Sequence, residues 1–447
     1  MAKYFGTNGI RGTYDKLNPK LALELSIAIG EYFKKNSKEK KPKILVAQDY
    51  RLTGDSLKHA VISGLLSIGI DSVDLGVISS PTAEFMVKKL KASGLIIITA
   101  SHNPPEWNAL KVVDKEGVAV SKERGEEIEK LIGNVESCKW NQVGKNEKYT
   151  DAIDEHIHEI ISQINTKKLK AKKIVLDCGN GTAADIAPKL FEKLCAKIIL
   201  INEKGDGTFP NRPSEPSELN VQKLISKVKA ENADAGIAWD GDGDRVIFVD
   251  EKGNYIIGDK VFALCALWEM EENKGNAVTT VATSKVIEEV AQKYNRKVIY
   301  TAIGAPYLSE EVAKGGYLIG GEEVGGVIFP KTSLAKDGFL TAAKMYEKIC
   351  EKPLSKWHEE IPKYFNVKTK IDANEKEKKE IVQRVLKFAK SKQYRIKTID
   401  GVRIDFDDSW VIIRSSGTEN YVRIFAEAKS QKRAEELVKE YLEICKK

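Results

Sequence analysis

The strongest chemical signal in the sequence is a set of three aspartates, Asp240, Asp242 and Asp244, which alternate with glycines and precede Arg245. In an extended or tightly looped segment alternate residues point the same way, so the three carboxylates can converge on one point. Carboxylates that close repel one another, and a divalent cation removes that repulsion. All-oxygen ligands favour Mg²⁺, Mn²⁺ or Ca²⁺, so the segment predicts a metal site.

The competing metal motif is an EF-hand calcium loop, which has a helix on each side and glycine at its sixth position. Glu251 does stand at the twelfth position, but Arg245 occupies the sixth. The flanking residues 235–239 and 246–249 are apolar and predict strands. The sequence therefore disfavours an EF-hand.

A second candidate, Ser101, follows a run of aliphatic residues at 95–98 that predicts a buried parallel strand. Pro104 and Pro105 cannot continue a strand ladder, so the chain must turn there. Ser101 is thus presented at the carboxyl end of a strand, where open α/β sheets bind ligands. A Ser–His pair alone more often marks a polar turn, but the distant aspartates indicate metal-assisted chemistry on an oxygen nucleophile. A serine hydrolase using Ser101 and His102 is disfavoured, because the G-x-S-x-G elbow is missing and the aspartates would have no role.

Three further features could bind the phosphate or the hydroxyl groups of a phosphorylated sugar. Arg245 would repel a nearby cation unless an anion lay between them, and phosphate matches the arginine fork. Residues 414–420 combine hydroxyls, a glycine and Arg414, with Arg423 following, and predict a phosphate cradle. Glu322, in the glycine-rich segment 320–326, can accept hydrogen bonds from sugar hydroxyls. Taken alone, residues 414–420 could equally be a surface turn, and for the segment around Glu322 a turn is the expected interpretation.

The elements that must position these residues alternate between strands and helices. Three rounds of this βαβ pattern predict largely parallel sheets with helices on their faces, and each round ends one strand in a polar or glycine-rich loop. The final stretch has strands at 367–371, 402–406, 410–414 and 421–428 and helices at 376–391 and 430–445, which predicts an α+β domain. We predict an α/β protein whose domains span 1–148, 149–252, 253–360 and 361–447.

Length and composition narrow the protein class. The chain has 447 residues, too many for one core, and a net charge of +7 that is mild for this length. No basic block is interleaved with aromatics, and no apolar run is long enough to cross a bilayer, so we expect neither a nucleic-acid nor a membrane partner. The six cysteines form no CxxC pair, which favours free thiols and a cytoplasmic location. His156 and His158 could suggest a metal site, but a solvated helix face is the expected interpretation.

Together these segments closely resemble the α-D-phosphohexomutase family of phosphoglucomutases and phosphomannomutases. The resemblance begins with residues 5–12 (FGTNGIRG) and continues through 99–104 (TASHNP), 240–245 (DGDGDR), 321–323 (GEE) and 414–419 (RSSGTE). The order and approximate spacing of these motifs match over the whole chain.

The resemblance implies a fold and a mechanism. It implies three successive α/β mixed-sheet domains and a C-terminal α+β domain around a central cleft. Ser101 would carry a phosphoryl group and, with Asp240, Asp242 and Asp244, hold one Mg²⁺. Transfer to a sugar monophosphate would give a bound hexose 1,6-bisphosphate. The residues expected around the reacting phosphate are His102, Lys111, Arg245 and Arg11. The residues expected to bind the sugar and its second phosphate are Glu322, Arg414, Ser416, Gly417, Thr418 and Arg423.

Three positions depart from the family pattern: Ala109, Val324 and Asn420 stand where glycine, serine or asparagine, and proline are usual. Val324 cannot donate a side-chain hydrogen bond, which leaves sugar preference open. The leading expectation is a mutase for glucose and mannose phosphates, with phosphoglucosamine mutase as the alternative. A phosphosugar-binding protein with little turnover is a third, and monomer and homo-oligomer both remain open.

Overall fold

A computed structural model of the chain describes residues 4–6, 9–37, 39, 41–416 and 420–446. These residues form four sheets with helices packed against them, and we call each sheet with its helices a unit. Among the described residues, none of the helices combines the length and apolar character needed to cross a bilayer.

The first unit contains seven strands and four helices. Its strands are β1 (Phe5–Gly6), β2 (Gly9–Thr13), β3 (Lys43–Gln48), β4 (Asp71–Val77), β5 (Gly94–Ile98), β6 (Trp107–Asp114) and β7 (Asn146–Lys148). Its helices are α1 (Pro19–Asn36), α2 (Gly54–Ser67), α3 (Ser80–Lys89) and α4 (Lys122–Glu129). The strand order is β1-β2-β6-β5-β3-β4-β7.

The second and third units are smaller versions of the same design. The second has helices α5 (Ala152–Ser162), α6 (Ala183–Lys193) and α7 (Gln222–Ala230) and strands β8 (Lys173–Asp177), β9 (Lys197–Ile201), β10 (Ala235–Trp239), β11 (Val246–Asp250) and β12 (Tyr255–Ile256). The third has strands β13 (Asn276–Thr280), β14 (Val298–Thr301), β15 (Tyr317–Gly321) and β16 (Val327–Ile328). Its helices are α8 (Gly258–Glu272), α9 (Val286–Lys293), α10 (Ala305–Ala313), α11 (Gly338–Glu351) and α12 (Leu354–His358).

One strand order recurs in these three sheets: β4-β3-β5-β6, β9-β8-β10-β11 and β14-β13-β15-β16. In each set three strands are parallel and the last is antiparallel. The topology confirms the predicted repetition of α/β units with mixed sheets. In each unit the connection from the third of these strands to the fourth carries a candidate site residue: Ser101, then Asp240 to Arg245, then Glu322.

The fourth unit is an antiparallel sheet covered by two helices, which confirms the predicted α+β domain. Its strands are β17 (Phe365–Asp372), β18 (Arg395–Lys397), β19 (Val402–Asp405), β20 (Ser409–Ser415) and β21 (Tyr421–Ala428), and its helices are α13 (Glu375–Ser391) and α14 (Gln431–Lys446). The strand order is β17-β21-β20-β19-β18. Asn374 begins α13 with a capping box, in which its side chain and that of Glu377 satisfy each other's backbone N–H groups.

Apolar cores hold the units to one another. The second and third units share one apolar core, which includes Trp239, Phe262 and Phe339. The fourth unit has its own core and meets the third through Val281, Trp410 and Ile412. Burying these apolar side chains removes their surface from water, which is the main force holding the units together.

Candidate active site

The aspartate loop joins β10 to the antiparallel strand β11 in a tight turn. Gly243 has a φ of +78°, which glycine adopts without strain, and its N–H donates to Asp240 Oδ1 over 3.0 Å. One carboxylate oxygen from each of Asp240, Asp242 and Asp244 lies within 4.8 Å of the others, and all three side chains are buried. The predicted convergence of the carboxylates is therefore present.

The electrostatics of this loop suit a divalent cation. Burial, followed by repulsion from Asp242 and Asp244, raises the pKa of Asp240 well above its usual range. The Oδ1 atoms of Asp242 and Asp244 are buried, and neither has a hydrogen-bond partner within the described parts of the chain. Buried acceptors that are left unpaired are costly, and a cation bound between them would satisfy both.

Ser101 lies against this loop, although 139 positions separate it from Asp240. Its Oγ donates to Asp240 Oδ2 over 2.6 Å, and the residue is only 3% exposed. Its φ of +52° is unusual for a residue with a Cβ, so the surrounding structure must hold it there. The serine and the aspartates thus form one buried site between the first and second units.

Arg51 is the group that holds the serine loop. Its guanidinium pairs with Asp49 Oδ2 over 3.1 Å and is buried. Its remaining N–H groups donate over 2.5–2.9 Å to four backbone carbonyls of the loop, those of Ser101, Asn103, Pro104 and Trp107. All five donors of one arginine are used, so a single side chain fixes the path of the loop.

The second unit holds the same serine from the other side. The Oγ of Ser214 donates to the Ser101 carbonyl over 2.9 Å. Ser214 is itself fixed by Arg212, which pairs with Asp177 over 2.9 Å and donates to the carbonyls of Ser214 and Trp239. The first and second units therefore each use an aspartate at or just after the end of a central strand, Asp49 after β3 and Asp177 on β8, to bind a buried arginine.

Two lysines connect the aspartates to neighbouring elements. Lys111, on β6, donates to Asp242 Oδ2 over 2.6 Å. Burial opposes its charge, but the carboxylates outweigh burial and raise the pKa of Lys111. Lys336 lies 3.0 Å from Asp244 Oδ2 and donates to Glu322 Oε1 over 2.6 Å, so the metal loop and the glycine-rich loop are bridged by one ammonium.

Three positively charged or titratable side chains complete the rim of the site. Arg11, on β2, donates to Asn103 Oδ1 over 2.6 Å, and Arg245 donates to Glu215 Oε2 over 3.1 Å. Burial, followed by Arg245 and Arg11, lowers the pKa of His102 to about 2. His102 is therefore a neutral imidazole at physiological pH, and its buried Nδ1 has no hydrogen-bond partner within the described residues.

The fourth unit carries the predicted phosphate residues on one hairpin. Arg414 on β20 and Arg423 on β21 stand directly opposite each other in the antiparallel ladder, on the same face of the sheet. Arg414 Nε donates over 2.8 Å to Asp400, which also accepts the N–H of Ile303 from the third unit. Ser416 is buried at the end of β20, whereas Gly417 and Thr418 lie outside the described residues.

The three departures from the family pattern have different settings. Ala109 is fully buried on β6, opposite Arg11 in the sheet. Val324 lies in the turn after Glu322, where the N–H of Gly325 donates to the Glu322 carbonyl over 3.3 Å. Asn420 is exposed next to β21.

Arg51, Ser214 and Lys336 are among the neighbouring residues that sequence reasoning missed. The sequence predicts a strand over 43–49 that ends in an acid, Asp49, and Arg51 two positions later was a usable signal. Ser214 and Lys336 carry no local pattern, because their contacts depend on how separate units pack.

Comparisons with known proteins agree with this arrangement. Models of the phosphoglucomutase/phosphomannomutase family match the whole length: α/β/α domains I, II and III at residues 2–139, 147–253 and 257–365, and the C-terminal domain at 365–444. The four matched domains and the four-unit fold therefore place the chain in a class of four-domain enzymes. The protein belongs to the phosphoglucomutase/phosphomannomutase family, as the resemblance of its motifs implied.

Individual relatives fall within the same family. A phosphoglucomutase/phosphomannomutase of Thermococcus kodakarensis is 40% identical over 452 residues, covering 99% of this chain and 98% of that protein. A phosphoglucosamine/phosphogalactosamine mutase of Sulfurisphaera tokodaii is 37% identical over 456 residues, covering 99% of each. A crystal structure of a phosphoglucomutase/phosphomannomutase family protein from Burkholderia thailandensis superposes with a TM-score of 0.89 at 27% identity, covering 98% of this chain and 97% of that one. The chain is accordingly an enzyme, an intramolecular phosphotransferase.

Proposed function

We propose that this enzyme interconverts hexose 6-phosphates and hexose 1-phosphates, with glucose and mannose phosphates as its substrates. The observation that carries the proposal is the contact of Ser101 Oγ with Asp240 Oδ2, 2.6 Å long, inside a buried group of three carboxylates. The name of the Thermococcus kodakarensis relative supports the choice of sugars.

The residues fit a magnesium-dependent phosphoserine enzyme. Asp240, Asp242, Asp244 and an oxygen on phosphorylated Ser101 would hold one Mg²⁺, which neutralises negative charge on a transferring phosphoryl group when bound. Lys111 stands beside these ligands with its charge stabilised by Asp242. The chain's own contribution is then to align the serine and to exclude water.

Each transfer moves a phosphoryl group from one oxygen to another. The bond from phosphorus to Ser101 Oγ breaks as a bond forms to the free hydroxyl oxygen of a hexose monophosphate, whose proton leaves to a base. The product is hexose 1,6-bisphosphate, which turns around and returns its other phosphoryl group to Ser101. Arg11 and Arg245 attract phosphate oxygens, and His102, a neutral imidazole here, can exchange a hydrogen bond with them.

The sugar and its second phosphate require separate contacts. We assign the sugar hydroxyls to Glu322, whose carboxylate is held by Lys336. We assign the phosphate that does not react to Arg414, Ser416, Gly417, Thr418 and Arg423. Arginine pairs opposite each other on a hairpin present several donors toward one anion.

Phosphoglucosamine mutase is the second candidate. It is favoured by the Sulfurisphaera tokodaii relative, which is nearly as similar as the first. Val324 offers no side-chain hydrogen bond beside Glu322, so the contact that distinguishes the sugars must come from other residues.

The test is turnover on glucose, mannose and glucosamine 1-phosphates, each with Mg²⁺ and a trace of hexose 1,6-bisphosphate. Activity on the glucose and mannose compounds supports the proposal, and activity on glucosamine 1-phosphate alone supports the second candidate. No turnover of any of them by enzyme shown to carry phosphoserine would contradict both and leave a binding role. Loss of activity with chelator, restored by Mg²⁺, checks the metal requirement.

We further propose a cytoplasmic enzyme that binds neither nucleic acid nor membrane, supported by free thiols at all six cysteines. The domain spans 1–148, 149–252, 253–360 and 361–447 remain proposals. Each span contains one sheet, apart from β12, which belongs to the second sheet but lies just inside the third span.

A further inference from the structure

His156 occupies the meeting point of three units. It lies on α5 of the second unit, is 1% exposed, and stacks on the ring of Phe85 from the first unit. Its Nε2 lies 3.0 Å from Asp337 Oδ2 of the third unit, and its Nδ1 lies 3.0 Å from Thr82 Oγ1 of the first. The expectation of a solvated face is wrong for His156 and right for His158, which is exposed.

The hydrogen bonds around His156 can be satisfied by one arrangement of protons. A neutral ring that donates from Nε2 to Asp337 can accept the Thr82 hydroxyl proton at Nδ1. Thr82 Oγ1 can then accept from the hydroxyl of Ser79, 2.6 Å away. Ser79 Oγ in turn accepts the backbone N–H of Thr82 over 3.2 Å, which caps the start of α3.

The first residue of α3, Ser80, is joined to a predicted metal ligand by two bonds. Its N–H donates to the Asp242 carbonyl over 2.9 Å, and its Oγ donates to Asp242 Oδ2 over 2.6 Å. The Oδ1 atom of Asp242 is buried and has no hydrogen-bond partner among the described residues. The orientation of this ligand therefore depends on where α3 begins.

Asp337 extends the same chain of contacts to the base of the metal loop. Its Oδ1 accepts the N–H groups of Phe339 and Leu340, each over 2.9 Å, and so caps α11. The carbonyl of the first residue of that helix, Gly338, accepts the indole N–H of Trp239 over 3.1 Å. Trp239 immediately precedes Asp240. Two residues of the aspartate loop, Asp240 through Trp239 and Asp242 through the start of α3, are thus linked to the buried carboxylate of Asp337.

We propose that Ser80 and His156 are positioning residues that hold Asp242 in the orientation that a divalent cation requires. This inference rests on the proposed function, because it takes Asp242 as a metal ligand. Ser80 holds the carboxylate directly. His156 acts through Thr82 and Ser79, so the docking of the second and third units on the first sets the geometry of the metal site.

The test measures Mn²⁺ binding by titration calorimetry and by the loss of the free-ion electron paramagnetic resonance signal, well below the unfolding temperature. The variants are Ser80→Ala, which removes the direct bond, and His156→Phe, which keeps a ring on Phe85 but removes both nitrogens. His158→Phe is the matched control, since it makes the same change at an exposed position of the same helix. His156→Gln is the conservative variant, because its amide can both donate and accept.

We expect Ser80→Ala to raise the Mn²⁺ dissociation constant about 10-fold, the usual lower bound for losing a partner of a metal ligand. His156→Phe should raise it about 3-fold, His156→Gln less, and His158→Phe not at all. A wild-type dissociation constant retained in both Ser80→Ala and His156→Phe would overturn the inference while leaving the proposed function in place. If His156→Phe lowers only the melting temperature, His156 is structural, and that result also overturns its role. Failure of the wild-type enzyme itself to bind Mn²⁺ would refute the metal site of the proposed function, and the inference with it.

Discussion

The two regions proposed to bind phosphate are built in different ways. The site around Ser101 takes side chains from three units, buries them, and fixes each through residues distant in sequence. The Arg414 region takes its groups from one hairpin, β20–β21, and from the loop between these strands. In the proposed function, the first region aligns the reacting atoms, whereas the second supplies positive charge to a phosphate that does not react.

This difference predicts different kinetic consequences. Changes around Ser101 should lower kcat, because transfer depends on alignment and on charge developed in the transition state. Changes around Arg414 should mainly raise KM, because contacts equal in ground and transition states contribute binding alone.

The largest effect is expected for Ser101→Ala, which removes the oxygen proposed to carry the phosphoryl group. Loss of a residue that forms the covalent intermediate costs at least about 1,000-fold in kcat in comparable enzymes. Ser72→Ala is the matched control, since Ser72 is another buried serine of the first sheet, bonded to Asn146. Substantial mutase activity in Ser101→Ala would show that the phosphoryl group is carried elsewhere.

The next largest effects are expected at the two buried arginines of the site, Arg51 and Arg212, which differ in how directly they hold Ser101. Lysine cannot reproduce the five donors of Arg51, so Arg51→Lys should release the serine loop and lower kcat roughly 10- to 100-fold with a smaller change in KM. Arg212→Lys should cost about 10-fold at most, because Arg212 makes its contacts to Ser214 and Trp239 and touches Ser101 indirectly, whereas Arg51 donates to the Ser101 carbonyl itself. Steady-state kinetics and urea unfolding would be compared with those of Arg384→Lys, a fourth-unit arginine that donates to the Cys445 carbonyl. Equal losses at all three positions would mean a general effect on stability.

The contrast between local and distant contacts also explains what could be predicted from the sequence. The aspartate loop, the serine loop and the hairpin motif were found because each is contiguous, so residue types and spacing were sufficient. Arg51 reaches carbonyls about fifty positions away, and Ser214 reaches Ser101 over 113 positions. No local pattern encodes such contacts, since they arise from the packing of finished units.

The fold was predicted at the level of element type and order, with errors at the edges. The apolar spacing predicts a helix over 56–69, whereas α2 spans Gly54–Ser67. β6 was not predicted, because Asn108 and Lys111 interrupt its apolar pattern even though both are buried at the site. His156 was misjudged for a related reason, since a polar residue on a helix is usually solvated unless another unit supplies its partners.

Arg414→Ala tests the hairpin side of the comparison. Removing one guanidinium from a phosphate should raise KM about 10- to 100-fold with kcat changed by less than about 3-fold. The control is Arg395→Ala, an exposed arginine of the same sheet. If kcat falls as steeply as KM rises, the hairpin also acts in the transition state, and the proposed division between the two regions fails.

His102 provides a test by pH rather than by rate. Burial and the charges of Arg245 and Arg11 lower its pKa to about 2, against an ordinary value near 6.5. In the metal-free, unphosphorylated enzyme its ring resonance should therefore not titrate between pH 5 and 8 in a histidine-labelled NMR sample. Arg11→Gln removes one repelling charge and should move the pKa upward.

The sign of the stability effect of His102 follows from the same values. Below about pH 6.5 the unfolded chain binds a proton at His102 that the folded chain does not, so the free energy of unfolding falls as pH drops. A normal titration of His102 near pH 6.5 would show that its ring is solvated, contrary to the buried site.

The smallest effect is expected at Val324, beside the proposed sugar ligand Glu322. Val324→Ser adds a hydroxyl to the turn that precedes Gly325, where it can reach a sugar without disturbing the Lys336–Glu322 pair. One added neutral hydrogen bond is worth about 1 kcal/mol, so a change of roughly 5-fold in kcat/KM for one sugar relative to another is expected. The ratio of kcat/KM for glucose and glucosamine 1-phosphates measures this, with the exposed Val143→Ser as control. An unchanged ratio would mean that sugar choice is set by Glu322 and its lysine, and that the valine merely fills the turn.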